Sequence, residues 1–122
     1  MNLTFKKNGN TIIVYLSGTL DTKLSREVEE DLEQLLHQFP ESDILINLKD
    51  LKYLSSSGLR VFVSLRSAMQ ESGKRLKLCG IGRAVREVFE LTKVAQFFKI
   101  YDDEESALEE DHSEDDEDHR DH

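Results

Sequence analysis

The 122-residue chain is predicted to fold as one α/β domain: a mostly parallel four- to five-stranded sheet with an antiparallel N-terminal edge hairpin and helices packed on it. Three observations carry this prediction. Short runs with strand character alternate with helical patterns of about a dozen residues or more, long enough for crossover connections, which place successive strands parallel. Asn8-Gly9 separates the first two runs and reads as a tight hairpin turn. Apolar residues make up 38% of the composition, which suffices for one core in a chain of this length.

The elements follow in order. Leu3-Thr4-Phe5-Lys6 and Thr11 to Leu16 are the arms of the hairpin, with Asn8-Gly9 expected to supply the two positive φ angles of a type I′ turn. After Ser17-Gly18-Thr19-Leu20-Asp21 the period changes. Leu24, Val28, Leu32, Leu35, Leu36 and Phe39 share one face of a helix, and Pro40 ends it. Ile44-Leu45-Ile46-Asn47-Leu48 is an apolar run of strand length, as expected of a central strand. A second helix carries Leu59, Phe62, Val63, Leu65 and Met69 and stops near Ser72-Gly73. Arg75 to Cys79 alternates like a strand with one wetter face. Ile81, Ala84, Val85, Val88 and Phe89 mark a third helix, and Phe97 to Tyr101 a last short strand or extended segment. A short helix is expected around Ser106-Ala107-Leu108, and no internal repeat is visible.

The net charge of −9 is unevenly distributed. Residues 102–122 hold 13 of the 25 Asp and Glu, whereas residues 1–101 carry 15 Lys and Arg against 12 Asp and Glu. The chain therefore divides into a domain at 1–108 and an acidic tail at 109–122, which is expected to stay disordered because from Asp111 onward it has no apolar residue to offset the entropy of ordering. His112, His119 and His122 lie among its carboxylates, but no pair has the spacing of a structural zinc site, so no metal is expected. The folded part lacks the basic stripe of a nucleic-acid binder. No apolar run approaches the roughly 18 residues of a membrane span, and the N-terminus lacks a secretion signal, so a cytoplasmic protein is expected. Cys79 cannot form an internal disulfide and reads as a core residue.

The most informative stretch runs from Asn47 to Leu59, where a buried strand is expected to pass through a short loop into the second helix. Serine is favoured there because its hydroxyl accepts from the free N–H groups of the first helical turn. Ser55-Ser56-Ser57 exceeds what a cap needs, and Gly58 is expected to keep the first turn bare and approachable from outside. A helix start also favours anions, so a phosphate on Ser57, read here as the capping serine, would be tolerated by the fold, with Arg60 as a partner one turn along.

Gly18-Thr19-Leu20-Asp21, the run Ile46 to Leu51, Ser56-Ser57-Gly58-Leu59 and Leu76-Lys77-Leu78-Cys79-Gly80-Ile81 together resemble the bacterial anti-sigma factor antagonists of the STAS family, in consistent order over about residues 3–108. In that family the usual motif is Asp-Ser-Ser-Gly or Asp-Ser-Ala-Gly, and a partner kinase, the anti-sigma factor, phosphorylates the serine before the glycine. The resemblance thus implies Ser57 as the phosphorylated residue, Ser56 as second choice, and a docking surface of Asp21, Ser55, Ser56, Ser57, Gly58 and Arg60. It further implies partner switching that regulates sigma-factor-dependent transcription: the unphosphorylated module binds the anti-sigma factor, phosphorylation releases it, and a PP2C-type phosphatase restores it. The chain is expected to act as a monomer or weak dimer. It departs from the pattern at one position, with Ser55 where Asp is usual.

Competing classes have weaker support. A catalytic serine needs a base, and residues 1–101 offer only His37, expected on a surface or rim; Ser57 is not framed as Gly-x-Ser-x-Gly either, so no enzyme is expected. The phosphate-binding glycine loops of nucleotide folds are absent, Gly80-Ile81-Gly82 lacking the third glycine, and no cofactor is expected. The serious alternative keeps the fold: a STAS module serving as an unphosphorylated scaffold subunit of a transporter-associated or signalling complex, with Arg83 and Arg86 on a docking face in either case.

Overall fold

The computed structural model describes residues 3–109. Five strands form one sheet in the order β1-β2-β3-β4-β5. They are β1 (Leu3–Asn8), β2 (Thr11–Leu20), β3 (Asp43–Leu54), β4 (Leu76–Cys79) and β5 (Lys99–Tyr101). β1 is antiparallel to β2, and every other neighbouring pair is parallel, as the crossover argument requires. The crossovers are α1 (Thr22–Gln38), α2 (Ser56–Glu71) and α3 (Arg83–Leu91), the last followed by a 3-10 turn at Ala95–Phe97.

Period-two alternation divides the strands between two faces. Ile12, Val14 and Leu16 of β2, Ile44, Ile46 and Leu48 of β3, and Leu78 of β4 form the main core with the helices. α1 contributes Val28, Leu32 and Leu35 to it, and α2 contributes Phe62, Leu65 and Met69. Phe89 of α3 meets Phe62 and Phe98 edge-on, with ring centroids 5.6 Å apart in each pair. Such T-shaped pairs add about 0.5–1.5 kcal/mol each beyond area burial.

The opposite face is smaller. Ile13, Leu45 and Cys79 point there and are covered by Ala107, which lies in the helical residues 104–109. This explains a departure from the expected wetter face of β4: Lys77 is buried, and its ammonium donates to the Ala107 carbonyl at 3.1 Å while lying 5.2 Å from the Tyr101 ring centroid. Cys79 is fully buried, as the sequence led one to expect.

Three further details differ from the sequence reading. The hairpin loop is Gly9-Asn10, and only Gly9 has positive φ (60°), which is the pattern of a type II′ turn. The last strand is shorter than Phe97–Tyr101, because Phe97 belongs to the 3-10 turn. β3 runs to Leu54, leaving Ser55 as the single residue before α2. Its later buried residues, Leu48, Leu51 and Leu54, are three apart, a spacing that conceals a strand. Two register shifts against β2 explain it. Tyr15 to Ser17 on β2 faces Asn47 to Asp50 on β3, and Gly18 to Thr19 faces Leu51 to Tyr53, so each inserts one extra β3 residue and restores the inward direction.

The acidic segment expected at 109–122 lies outside the described residues beyond Glu109. Among the described residues no helix is long and apolar enough to cross a membrane, and no cluster of three His, Cys, Asp or Glu is placed to hold a metal ion.

Candidate functional site

Because β2 and β3 are parallel neighbours, the helices that follow them start at the same edge of the sheet. One residue separates strand from helix at each junction, and each of these residues is a cap. Asp21 Oδ1 accepts from the Leu24 N–H at 2.9 Å, and Ser55 Oγ accepts from the Gly58 N–H at 3.3 Å. The junctions are also tied together, since the N–H and the hydroxyl of Ser55 both donate to the Leu20 carbonyl, each at 2.9 Å.

The capping serine is therefore Ser55, and the sequence reading that gave this part to Ser57 is corrected. Ser57 is the second residue of α2 and half-buried, and among the described residues nothing accepts from or donates to its hydroxyl. Ser56 before it is exposed, as is Arg60 one turn on. Asp21, the one residue between β2 and α1, is exposed at the start of that helix.

Gly58 also differs from expectation, because its bare side faces inward. It is buried, and a Cβ placed on it would lie 2.9 Å from Leu20 Cβ, 3.1 Å from the Leu20 carbonyl oxygen and 3.1 Å from Leu54 Cβ. Glycine here lets the first turn of α2 approach β2 closely enough for Ser55 to reach Leu20. Its backbone φ is not in the left-handed region, so steric room rather than dihedral freedom makes glycine necessary.

His37, the one histidine of residues 1–101, lies near the far end of α1. At 1.5 Å per residue it is about 22 Å along the helix from Thr22, and it is exposed. No Ser57–His37 pair can form across that distance.

A second polar cluster lies on the opposite face of the sheet. Asn47 Nδ2 donates to Glu104 Oε2 at 2.8 Å, and Glu104 also accepts from Tyr15. Burial works to raise the Glu104 pKa, but the hydrogen bonds from Tyr15 and Asn47 and the nearby Lys6 and Lys49 outweigh it and hold the carboxyl below its usual value. Burial first, and Glu104 second, pushes Tyr15 up to about 12. Cys79, beneath the same helix, is pushed up to about 11, chiefly by burial, and is not a nucleophile near neutral pH.

The sign of the Glu104 shift fixes an acid response. A lowered folded-state value means that the carboxylate stabilises the fold above its unfolded pKa and that this contribution is lost as pH falls through the lower folded value. The Asn47 side-chain amide signals in an NMR pH titration should therefore move with a midpoint below the ordinary glutamate value, and Glu104→Gln should abolish the step. A midpoint at or above that value would contradict the assignment. No sequence signal marks this cluster, since its members share no motif or period.

A family model described as "STAS domain" matches residues 2–107, which is nearly the whole of the described chain. The chain belongs to the STAS domain family. Among curated STAS relatives, the anti-sigma-B factor antagonist of Bacillus subtilis is 31% identical over 100 residues, covering 82% of this chain and 90% of the relative. The anti-sigma F factor antagonist of Paenibacillus polymyxa is 26% identical over 108 residues, covering 88% and 92%. Among solved STAS structures, the anti-sigma factor antagonist SpoIIAA in its unphosphorylated form matches with a TM-score of 0.78 at 19% identity, over 91% of this chain and 96% of that one.

Within the STAS pattern, the structure gives a physical account of Ser55 in the place of Asp. A carboxylate accepts only, whereas a hydroxyl both accepts from Gly58 and donates to Leu20. Ser55→Ala should thus cost about 1–2 kcal/mol in chemical denaturation, from loss of the cap and of one bond to the Leu20 carbonyl. A change within about 0.5 kcal/mol, the scale of an ordinary surface substitution, would mean that the link between the junctions contributes nothing.

Proposed function

We propose that this STAS protein is an anti-sigma factor antagonist that works by partner switching. Unphosphorylated, it binds an anti-sigma factor that is also a serine kinase; the kinase phosphorylates Ser57 and is released, and a PP2C-type phosphatase removes the phosphate. The docking surface comprises Asp21, Ser55, Ser56, Ser57, Gly58 and Arg60, with Gly58 acting from beneath by holding the first turn of α2 in place. The role is binding rather than catalysis, and this reading implies a cytoplasmic protein.

The observation that carries the proposal is the division of labour among the serines. Ser55 already caps α2, so Ser57 is not needed to hold the helix start together. A phosphate on it meets the positive end of the peptide dipoles and Arg60, both of which favour an anion. The fold should therefore carry the dianion while the nearly neutral surface it presents becomes negative. The names of the relatives support the same reading.

Incubation with the cognate serine kinase and ATP should add one phosphate, mapped to Ser57 by intact mass and peptide analysis. Ser57→Ala should remain unlabelled; full labelling of that variant would move the site to Ser56 or elsewhere. The scaffold reading is favoured by Ser55 standing where the family pattern carries Asp. It expects no phosphate transfer and unchanged binding in all serine variants.

A further inference from the structure

At the end of α2 remote from Ser57, the surface carries a cleft of about 250 Å³ between the last turns of α2 and the starts of β4 and β5. Arg66, Lys74, Arg75, Lys77 and Lys99 are among its polar lining residues, Met69 and Phe98 are among its apolar ones, and no lining residue is acidic. Arg66 is held in position, with Nε donating to the Phe97 carbonyl at 2.7 Å and the guanidinium 5.3 Å from the Phe97 ring centroid. Arg75 and Lys99 have contacts of their own. What distinguishes the cleft is thus the summed positive field of the Lys and Arg side chains around one concavity, not any single unpaired cation.

The helical residues 104–109 end beside it. Ala107 and Leu108 line a small depression together with Arg75 and Lys77, and the same two residues line the cleft. The sequence continuing from that point, residues 110–122, contains eight Asp or Glu and one Arg. A segment tethered at the mouth of a site faces it at an effective concentration on the order of millimolar, and one carrying many negative charges needs no single strong contact. We propose that this cleft is the docking site for the chain's own acidic segment, residues 110–122, bound in cis. β4 and β5 begin at the edge of the sheet opposite the one where β3 hands over to α2. Docking there holds the negative charge away from Ser57, and it does so whatever the role of that serine.

The test uses the full chain with a nitroxide attached at Ser113→Cys, the native Cys79 being buried. At about 0.1 M salt, where the screening length is about 10 Å, the amide signals of Gln70, Lys74 and Lys99 should lose more than half their intensity relative to the reduced label. At about 1 M salt, where that length is about 3 Å, the loss should disappear. Neutralising Asp115, Asp116, Glu117 and Asp118 to Asn or Gln leaves the domain untouched and should abolish it as well; Lys74→Glu with Lys99→Glu should do so from the cleft side. The proposal is overturned if the losses are absent at low salt, centre on Arg60, Arg83 or Arg86, survive the neutralised tail, or arise only between labelled and unlabelled molecules in a mixed sample.

Discussion

Replacing Ser57 with Asp is expected to weaken binding to the anti-sigma factor by about a hundredfold, equivalent to about 2.7 kcal/mol, while leaving the fold intact. Two separate physical effects lead to this outcome. Burying a new carboxylate against a partner shaped for a neutral hydroxyl leaves a charge desolvated without compensation, and such penalties run to several kcal/mol. The fold is spared because the second position of α2 is one where an anion is favoured and where the existing cap, Ser55, is untouched. Calorimetric titration against the anti-sigma factor measures the first effect, and denaturant unfolding measures the second. Unchanged affinity would count against switching; an unfolded variant would show that the half-buried Ser57 has a structural part that its lack of hydrogen-bond partners does not reveal.

Gly58→Val is expected to cost about 3 kcal/mol of stability, at the upper end for overpacking a closely packed site. The position has no room for even one carbon, with Leu20 Cβ, the Leu20 carbonyl and Leu54 Cβ all within 3.1 Å of where it would stand. The first turn of α2 would have to move away from β2, stretching the two bonds from Ser55 to Leu20. Out of the roughly 5–15 kcal/mol that holds a domain together, this is a large share. Denaturation midpoints compared with those of the parent protein measure it. A loss below about 1 kcal/mol would mean that the junction yields easily and that the glycine before Leu59 serves something other than close approach. Gly58→Val should also impair binding in the protein that remains folded, because the turn carrying Ser56 and Ser57 would be displaced with it.

Much of this architecture was legible in the residues because it rests on local periods. Val28, Leu32 and Leu35 repeat with the helical period and do face the core, and Ile44 to Leu48 is a central strand with helices on one side and the 104–109 helix on the other. Where local period fails, the reading failed with it. Leu48, Leu51 and Leu54 belong to one strand only because β3 gains a residue at two points along β2, and nothing in β3 alone announces which residues its partner will skip. Lys77 looked like a wet position on an alternating strand until a helix 30 residues later covered it. Glu104 and Asn47 are 57 positions apart, and their hydrogen bond depends on the sheet being assembled first.

The site divides in the same way. That a serine caps the second helix follows from the residue types at a strand-to-helix junction, but which of three consecutive serines does so depends on where the strand stops. The strand runs to Leu54, one residue before Ser55, and this shifts the cap two places ahead of the position first assigned. A glycine after three serines suggests a bare, approachable first turn, whereas the neighbour that Gly58 packs against, Leu20, is 38 positions away and becomes visible only once β2 and β3 pair. The consequence is a sharper separation of roles: Ser55 builds the junction, and Ser57 is not needed for it.

The most direct measurement titrates the anti-sigma factor with a single preparation of the full chain in three states: untreated, phosphorylated at Ser57, and phosphorylated then treated with the phosphatase. Tight binding, its loss, and its full return are expected in that order, with the same unfolding midpoint throughout. Equal affinity in all three states would contradict the account, whatever the location of the phosphate.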